Sequence, residues 1–255
     1  MNQPVPMLKT RVMAGFAGLF FTCTPLLAGE FSVSPIRLEL GAAARSGVIV
    51  VKNDGKEKLG FQLQAFEWSQ DAAGKDQYVE SRDLIFFPKI MTVEPGEEGV
   101  VRVGTKTVAV PTEKTFRLFI EELPGPVKAQ QVPGATLNVM IRFGAPVFVA
   151  PVSPSDSAEI FSLDMAKGVL AVSVRNTGNR HQVVEGIQLA GVDAQGKEVY
   201  ALTLADRYLL AGATKPYTAT IPVEQCAKIS SLSVELKTDK VGVKRKLDVT
   251  RAMCS

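Results

Sequence analysis

Beyond residue 30 the chain is a procession of short apolar runs at period two, broken about every ten positions by turn residues. Residues 61–68 (FQLQAFEW) alternate, and Asp71-Ala72-Ala73-Gly74 follows; residues 47–52 (GVIVVK) stop at Asn53-Asp54-Gly55. Period two puts alternate side chains on one face of a strand, and Asn, Asp, Gly and Pro clusters end strands. Many short strands with evenly spaced turns argue for all-β sandwiches. At 255 residues, with 46% hydrophobic and 22% charged residues, the chain is an ordinary globular one and long enough for two domains.

The stretch 115–149 is the most informative. It reads as two strands, 115–123 and 137–149, joined by a loop holding Pro124, Gly125, Pro126, Pro133 and Gly134. Leu137, Val139, Ile141 and Phe143 alternate along one face of the second, and Asn138, Met140 and Arg142 along the other. Such a strand is either core or an edge kept for a partner. Residues 31–40 (FSVSPIRLEL) open the first sandwich, with Pro35 demanding an edge or a break. Strands are expected at 84–88, 91–93 and 99–103, about seven in all, before a Pro/Ser linker at 151–157. The pattern then restarts with strands at 168–175, 181–189, 198–204, 208–210, 217–221, 229–236 and 244–249. The reading is two immunoglobulin-like β-sandwiches in tandem, 29–150 and 151–255.

Residues 1–28 read as a cleaved signal peptide. Lys9 and Arg11 precede a ten-residue apolar run, and Leu26-Leu27-Ala28 offers a cleavage site. The run is short of the ~20 apolar residues of a spanning helix, and no later segment is long and apolar enough, so membrane insertion is not expected. Losing Lys9 and Arg11 from 29 basic residues leaves 27 against 26 acidic, which gives no electrostatic case for nucleic acid. The run Lys244-Arg245-Lys246 sits in a strand pattern and reads as an exposed edge that blunts sheet pairing. Cys226 and Cys254 remain after cleavage, and an oxidising compartment favours a disulfide between them.

Catalytic constellations are missing. His181 is the single histidine, no Gly-x-Ser-x-Gly elbow or phosphate-binding glycine loop appears, and two cysteines with one histidine make a poor metal set. No enzyme activity, metal or cofactor is expected.

Several motifs, in order, carry a resemblance. They are Val33-Ser34-Pro35-Ile36-Arg37, Val93-Glu94-Pro95-Gly96 with Val100-Val101-Arg102-Val103, Phe116-Arg117-Leu118-Phe119 running to Glu122-Leu123-Pro124, and residues 137–149 ending before Pro151. Arg207-Tyr208-Leu209-Leu210-Ala211-Gly212 and residues 248–254 extend it. Together they resemble the periplasmic pilus-assembly chaperones of the chaperone–usher pathway, the PapD-like family. The resemblance implies a chaperone that lends a strand to pilus or fimbrial subunits and hands them to an outer-membrane usher. Leu137, Val139, Ile141 and Phe143 would be the donated side chains. Arg37 matches the arginine that anchors the subunit's terminal carboxylate. Pro146 stands where the family's partner lysine is usual, which is similar to the archaic branch; Arg117 or Arg142 would supply the second charge, with Arg102 a weaker candidate. The exposed strand would also let the free protein pair with itself. The alternatives are an immunoglobulin-like pilus subunit or adhesin, and a periplasmic binding module. The first would need a donor extension after the signal peptide, and Phe31 starts a strand almost at once, leaving little of one. The second is poorly served by one tryptophan and four tyrosines.

Overall fold

The computed structural model describes residues 31–107, 110–125 and 139–255; the signal-peptide segment and Leu137 lie outside these. The first sandwich contains β1 (Phe31–Ser34), β2 (Leu38–Leu40), β3 (Ser46–Asn53), β4 (Leu59–Gln70), β5 (Asp76–Glu80), β6 (Leu84–Phe87), β7 (Ile90–Val93), β8 (Glu98–Thr105), β9 (Lys114–Leu123) and β10 (Arg142–Val149). One sheet runs β1-β3-β8-β6 and the other β2-β10-β9-β4-β5, with β7 also on β4. The inward sets face each other across one core: Ile49 and Val51 with Val101 and Val103 from the first sheet, and Phe61 and Leu63 with Phe116, Leu118 and Ile120 from the second. Burying each large apolar side chain contributes about 1.5–3 kcal/mol.

Pro35 makes the break expected at 31–40. The chain leaves β1, antiparallel to β3, and re-enters as β2, parallel to β10, so one segment serves both sheets.

The second sandwich holds β11 (Ala158–Ala166), β12 (Val169–Asn176), β13 (Gln182–Val192), β14 (Glu198–Leu204), β15 (Tyr208–Leu209), β16 (Thr214–Thr220), a helical turn α1 (Val223–Cys226), β17 (Ser231–Thr238) and β18 (Gly242–Asp248). Its sheets run β11-β12-β16 and β14-β13-β17-β18. Cys226 and Cys254 are bonded, with Cα atoms 5.7 Å apart, which fixes α1 to the end of the chain.

The two sandwiches repeat one device. Asn53 ends β3 with its side chain fully buried; its amide donates to Glu57 O (2.8 Å) and Val93 O (3.0 Å), and its carbonyl accepts from Gly55 N (2.9 Å). Asn176 ends β12 in the same way, donating to Arg180 O (2.8 Å) and Leu209 O (3.0 Å) and accepting from Gly178 N (2.9 Å). The Asn-x-Gly turns visible in the sequence are therefore also buried pins between strands, since a buried amide must find its partners.

Two strands went unread in the sequence, β5 and β11. Every residue of β5 is exposed, so no apolar alternation marks it. In β11 a register shift between Ile160 and Ser162 turns Phe161 outward, which spoils the period. The second strand of the 115–149 stretch is shorter than expected. It starts at Arg142, because Val139 and Met140 are exposed and lie outside the ladder.

Candidate functional site

β10 is built on two levels. Ala145, Val147 and Val149 point into the first core. Phe143 follows on the same face and packs against that core, Ile141 is half-buried, and Val139 is 72% exposed. Of the four apolar residues expected to be donated, Phe143 is thus partly engaged by its own sandwich, Ile141 and Val139 are progressively freer, and Leu137 is beyond the described residues.

The flanks of β10 differ along its length. β9 pairs with all of it, from Arg142↔Glu121 to Val149↔Lys114. β2 covers the opposite flank only at Val147, Phe148 and Val149. Among the described residues no strand pairs with that flank from Arg142 to Pro146. Ile141 O accepts from Glu122 N (3.0 Å) and Ala150 N donates to Leu40 O (2.8 Å), which sets the alternation. Odd-numbered residues bond toward β9, and Arg142 and Gly144 turn their N–H and C=O groups to the open flank. Pro146 has no N–H to offer.

The outward face of β10 looks into a cleft between the sandwiches. Cross-strand pairs share a face, so Arg117 on β9 lies beside Pro146, with Phe66 of β4 on its other side. Leu38 pairs with Val147, which brings Arg37, one residue earlier, to the far end of this row. Arg117 is half-buried. Its Cζ lies 3.9 Å from the Trp68 ring centroid and 5.6 Å from that of Tyr208, and Nη1 donates to Gly144 O (3.0 Å). No carboxylate pairs with it among the described residues. Arg37 is 44% exposed and 3.4 Å from Glu39. Arg142 is committed elsewhere, stacked 3.9 Å over Phe119 and 3.4 Å from Glu121. Arg102 lies on β8, in the other sheet and away from β10, so it has no place in this row. Burial pushes the Tyr78 phenol up, with Asp76 adding to this and Arg117 opposing it.

The floor of the cleft locks the sandwiches together. Trp68 and Phe148, from the first, belong to the buried cluster of the second. His181 stacks on Phe148 at 3.6 Å and 10°, and its Nδ1 lies 2.9 Å from both oxygens of Glu113, which also accepts from His181 N–H (2.8 Å). The Gln70 amide donates to Tyr208 O and accepts from Leu210 N, both at 3.0 Å. Asn179 Nδ2 donates to Pro111 O (2.9 Å). The single histidine is therefore a satisfied interface residue. No local pattern announces this floor: Trp68 falls out of phase with Phe61, Leu63 and Ala65 because it is buried by the second sandwich and not by its own core.

The family model described as "Pili and flagellar-assembly chaperone, PapD N-terminal domain" matches residues 30–154. No curated protein sequence matches. Among solved structures, the chain is similar to one of a CsuC-CsuE chaperone–tip adhesion subunit pre-assembly complex, from archaic chaperone–usher Csu pili of Acinetobacter baumannii. The identity is 18% and the TM-score 0.57, over 84% of this chain and 98% of that one. It is also similar to the CupB2 chaperone of Pseudomonas aeruginosa, at 15% identity and TM-score 0.52 over 86% of this chain and 100% of that one. A Salmonella enterica SafA pilin–SafB chaperone complex gives 16% and 0.52, over 88% and 98%. At these identities the likeness speaks for the fold, two immunoglobulin-like sandwiches, and the match over residues 30–154 speaks for the family: the chain belongs to the PapD-like pilus-assembly chaperones.

Proposed function

We propose that this protein is a periplasmic chaperone of pilus or fimbrial subunits that acts by lending them a strand. The observation that carries this reading is the open flank of β10 from Arg142 to Pro146. Apolar Ile141 and Val139 continue from it. A subunit lacking its last strand exposes core pockets and unpaired backbone groups. β-Augmentation on this flank supplies the main-chain bonds, and alternate apolar side chains fill the pockets. The chaperone needs no catalysis and no cofactor for this. Release to an outer-membrane usher comes when a better-fitting subunit strand replaces the lent one.

Arg117 and Arg37 would hold the subunit's terminal carboxylate. Arg117 is the stronger of the two, because Trp68, Tyr208 and Gly144 O already fix its guanidinium and no acid among the described residues pairs with it. A charge-assisted bond to a pre-positioned guanidinium is among the stronger polar contacts. Arg142 is assigned to Glu121 and Phe119 instead. Residues 1–28 would direct export, 29–150 would form the subunit-binding domain and 151–255 the second. In the free state the same flank would support pairing between two copies.

The test is co-expression in the periplasm with the small secreted proteins encoded by neighbouring genes, followed by affinity pull-down. A one-to-one complex lost on Ile141→Asp supports the reading. An undiminished complex with that variant rejects it.

A further inference from the structure

Phe119 lies on the cleft face of β9 directly opposite Gly144 of β10. Its ring covers the glycine so closely that a Cβ built on Gly144 would meet Phe119 Cε1 at 2.9 Å. The ring therefore reaches across β10 toward the flank that β2 leaves open. It is held from three other sides. Phe66 and Tyr78 meet it edge-on at 5.6 and 5.4 Å, and the Arg142 guanidinium lies 3.9 Å over its face. Tyr78 is 41% exposed and Phe119 half-buried, so this aromatic group is partly open to solvent and is not closed off in a core.

A strand added to the open flank places one side chain in the Phe119–Gly144 row, on the same face. With nothing but hydrogen on Gly144, that side chain meets the Phe119 ring and not a neighbour on β10. A rigid aromatic held by its neighbours loses little freedom on binding, which is what makes such residues good anchors.

We propose that Phe119 is a specificity-determining residue, reading across Gly144 the incoming subunit's side chain at that row and favouring a large apolar or aromatic one. This rests on the reading that a subunit strand pairs with β10. The claim is separate from the carboxylate row at Arg117 and from the apolar series at Ile141 and Val139, which lie on other rows or the other face.

The experiment uses the full-length chaperone and, as probe, the small secreted subunit encoded beside it, co-expressed in the periplasm. The subunit residue paired with Gly144 is varied through Ala, Val, Leu and Phe, against wild-type chaperone, Phe119→Leu, Gly144→Ala and Ile141→Asp. The expected result is at least a tenfold preference for Phe or Leu over Ala with the wild type. That preference should flatten to about twofold in Phe119→Leu and in Gly144→Ala, where the ring is pushed off the glycine. Melting of each free chaperone is followed in parallel, because a merely structural Phe119 would lower all complexes alike and leave the ranking unchanged. An unchanged ranking, with Ile141→Asp still abolishing every complex, overturns the role of Phe119 alone. Complexes that survive Ile141→Asp overturn the strand-pairing reading and this inference with it.

Discussion

β10 and β18 each close their sandwich's run of strands; β18 is the edge of its sheet, and β10, flanked by β2 only at Val147–Val149, becomes an edge from Arg142 to Pro146, yet the two edges are finished in opposite ways. β18 pairs with β17 on one side and shows Lys244, Arg245 and Lys246 to solvent. Arg245 reaches over to Ile160 O (3.1 Å), so part of the exposed edge is tied to β11. Consecutive cations on an edge strand discourage pairing with another chain. β10 has no such run between Arg142 and Pro146, and its one cation there, Arg142, is drawn back over Phe119 and toward Glu121. One edge is guarded by charge and the other is left without that guard. That difference within one molecule is the physical content of the functional reading.

The largest expected effect falls on the unguarded edge. Ile141→Asp should abolish recovery of a subunit complex while the chaperone still folds, because Ile141 is only half-buried in the free protein. Ile141→Ala should weaken the complex by about 2–4 kcal/mol if the side chain is fully buried there, read as the affinity of the purified pair. Next, Arg117→Ala should cost about 2–3 kcal/mol of binding, and a subunit whose terminal carboxylate is extended by further residues should lose the same contact. If the second change still costs as much in the Arg117→Ala background, Arg117 is not the anchor.

Breaking the second sandwich sharpens the comparison from the other side. Replacing Cys226 and Cys254 with Ser frees a span of 28 residues and should destabilise that sandwich by about 3–4 kcal/mol in denaturant unfolding, with little change in subunit affinity below the transition. A smaller effect belongs to Asp206. Partial burial works against its charge, but Lys215 (2.8 Å), the Tyr217 hydroxyl and the Arg207 N–H hold its carboxyl below the usual range. A depressed carboxyl stabilises the fold above its unfolded-state pKa, and this is lost as pH falls through the folded-state value. The melting temperatures of wild type and Asp206→Asn should therefore differ by a few degrees at neutral pH and converge in acid below about pH 4. The smallest change in stability, within about 0.5 kcal/mol, is expected for Lys244→Thr with Lys246→Thr. That variant should instead associate with rising concentration, measured by light scattering, as its defended edge comes to resemble β10.

The fold was legible because burial and period coincide in β3, β4, β8 and β9, and because Asn-x-Gly and Ala194–Lys197 mark true turns. β14 matched the expected 198–204 span, and the basic run 244–246 fell on an edge as its charge implied. Where side chains are exposed on every residue, as in β5, or a bulge resets the phase, as at Phe161, the pattern carried no signal. The site was harder. Val139, Ile141 and Phe143 were visible as an alternating series, but the division between Phe143, resting on its own core, and Val139, free of it, depends on where β2 stops covering β10. The Arg117–Trp68–Tyr208 stack joins residues 140 apart in the chain's two halves, and no local spacing announces such a contact. In the sequence Phe119 is one more apolar strand residue; what sets it apart is Gly144, 25 positions on, lying opposite it on β10.

Amide hydrogen exchange across β10, measured on the chaperone alone and in complex with its subunit, tests the account most directly. Arg142 and Gly144, whose N–H groups face the open flank, should exchange fast in the free protein and slowly in the complex; Phe143 and Ala145, bonded to β9, should be slow in both. Fast exchange of Arg142 and Gly144 in the complex, or protection of both in a free monomer, would contradict the claim that β10 is a strand held open for a partner.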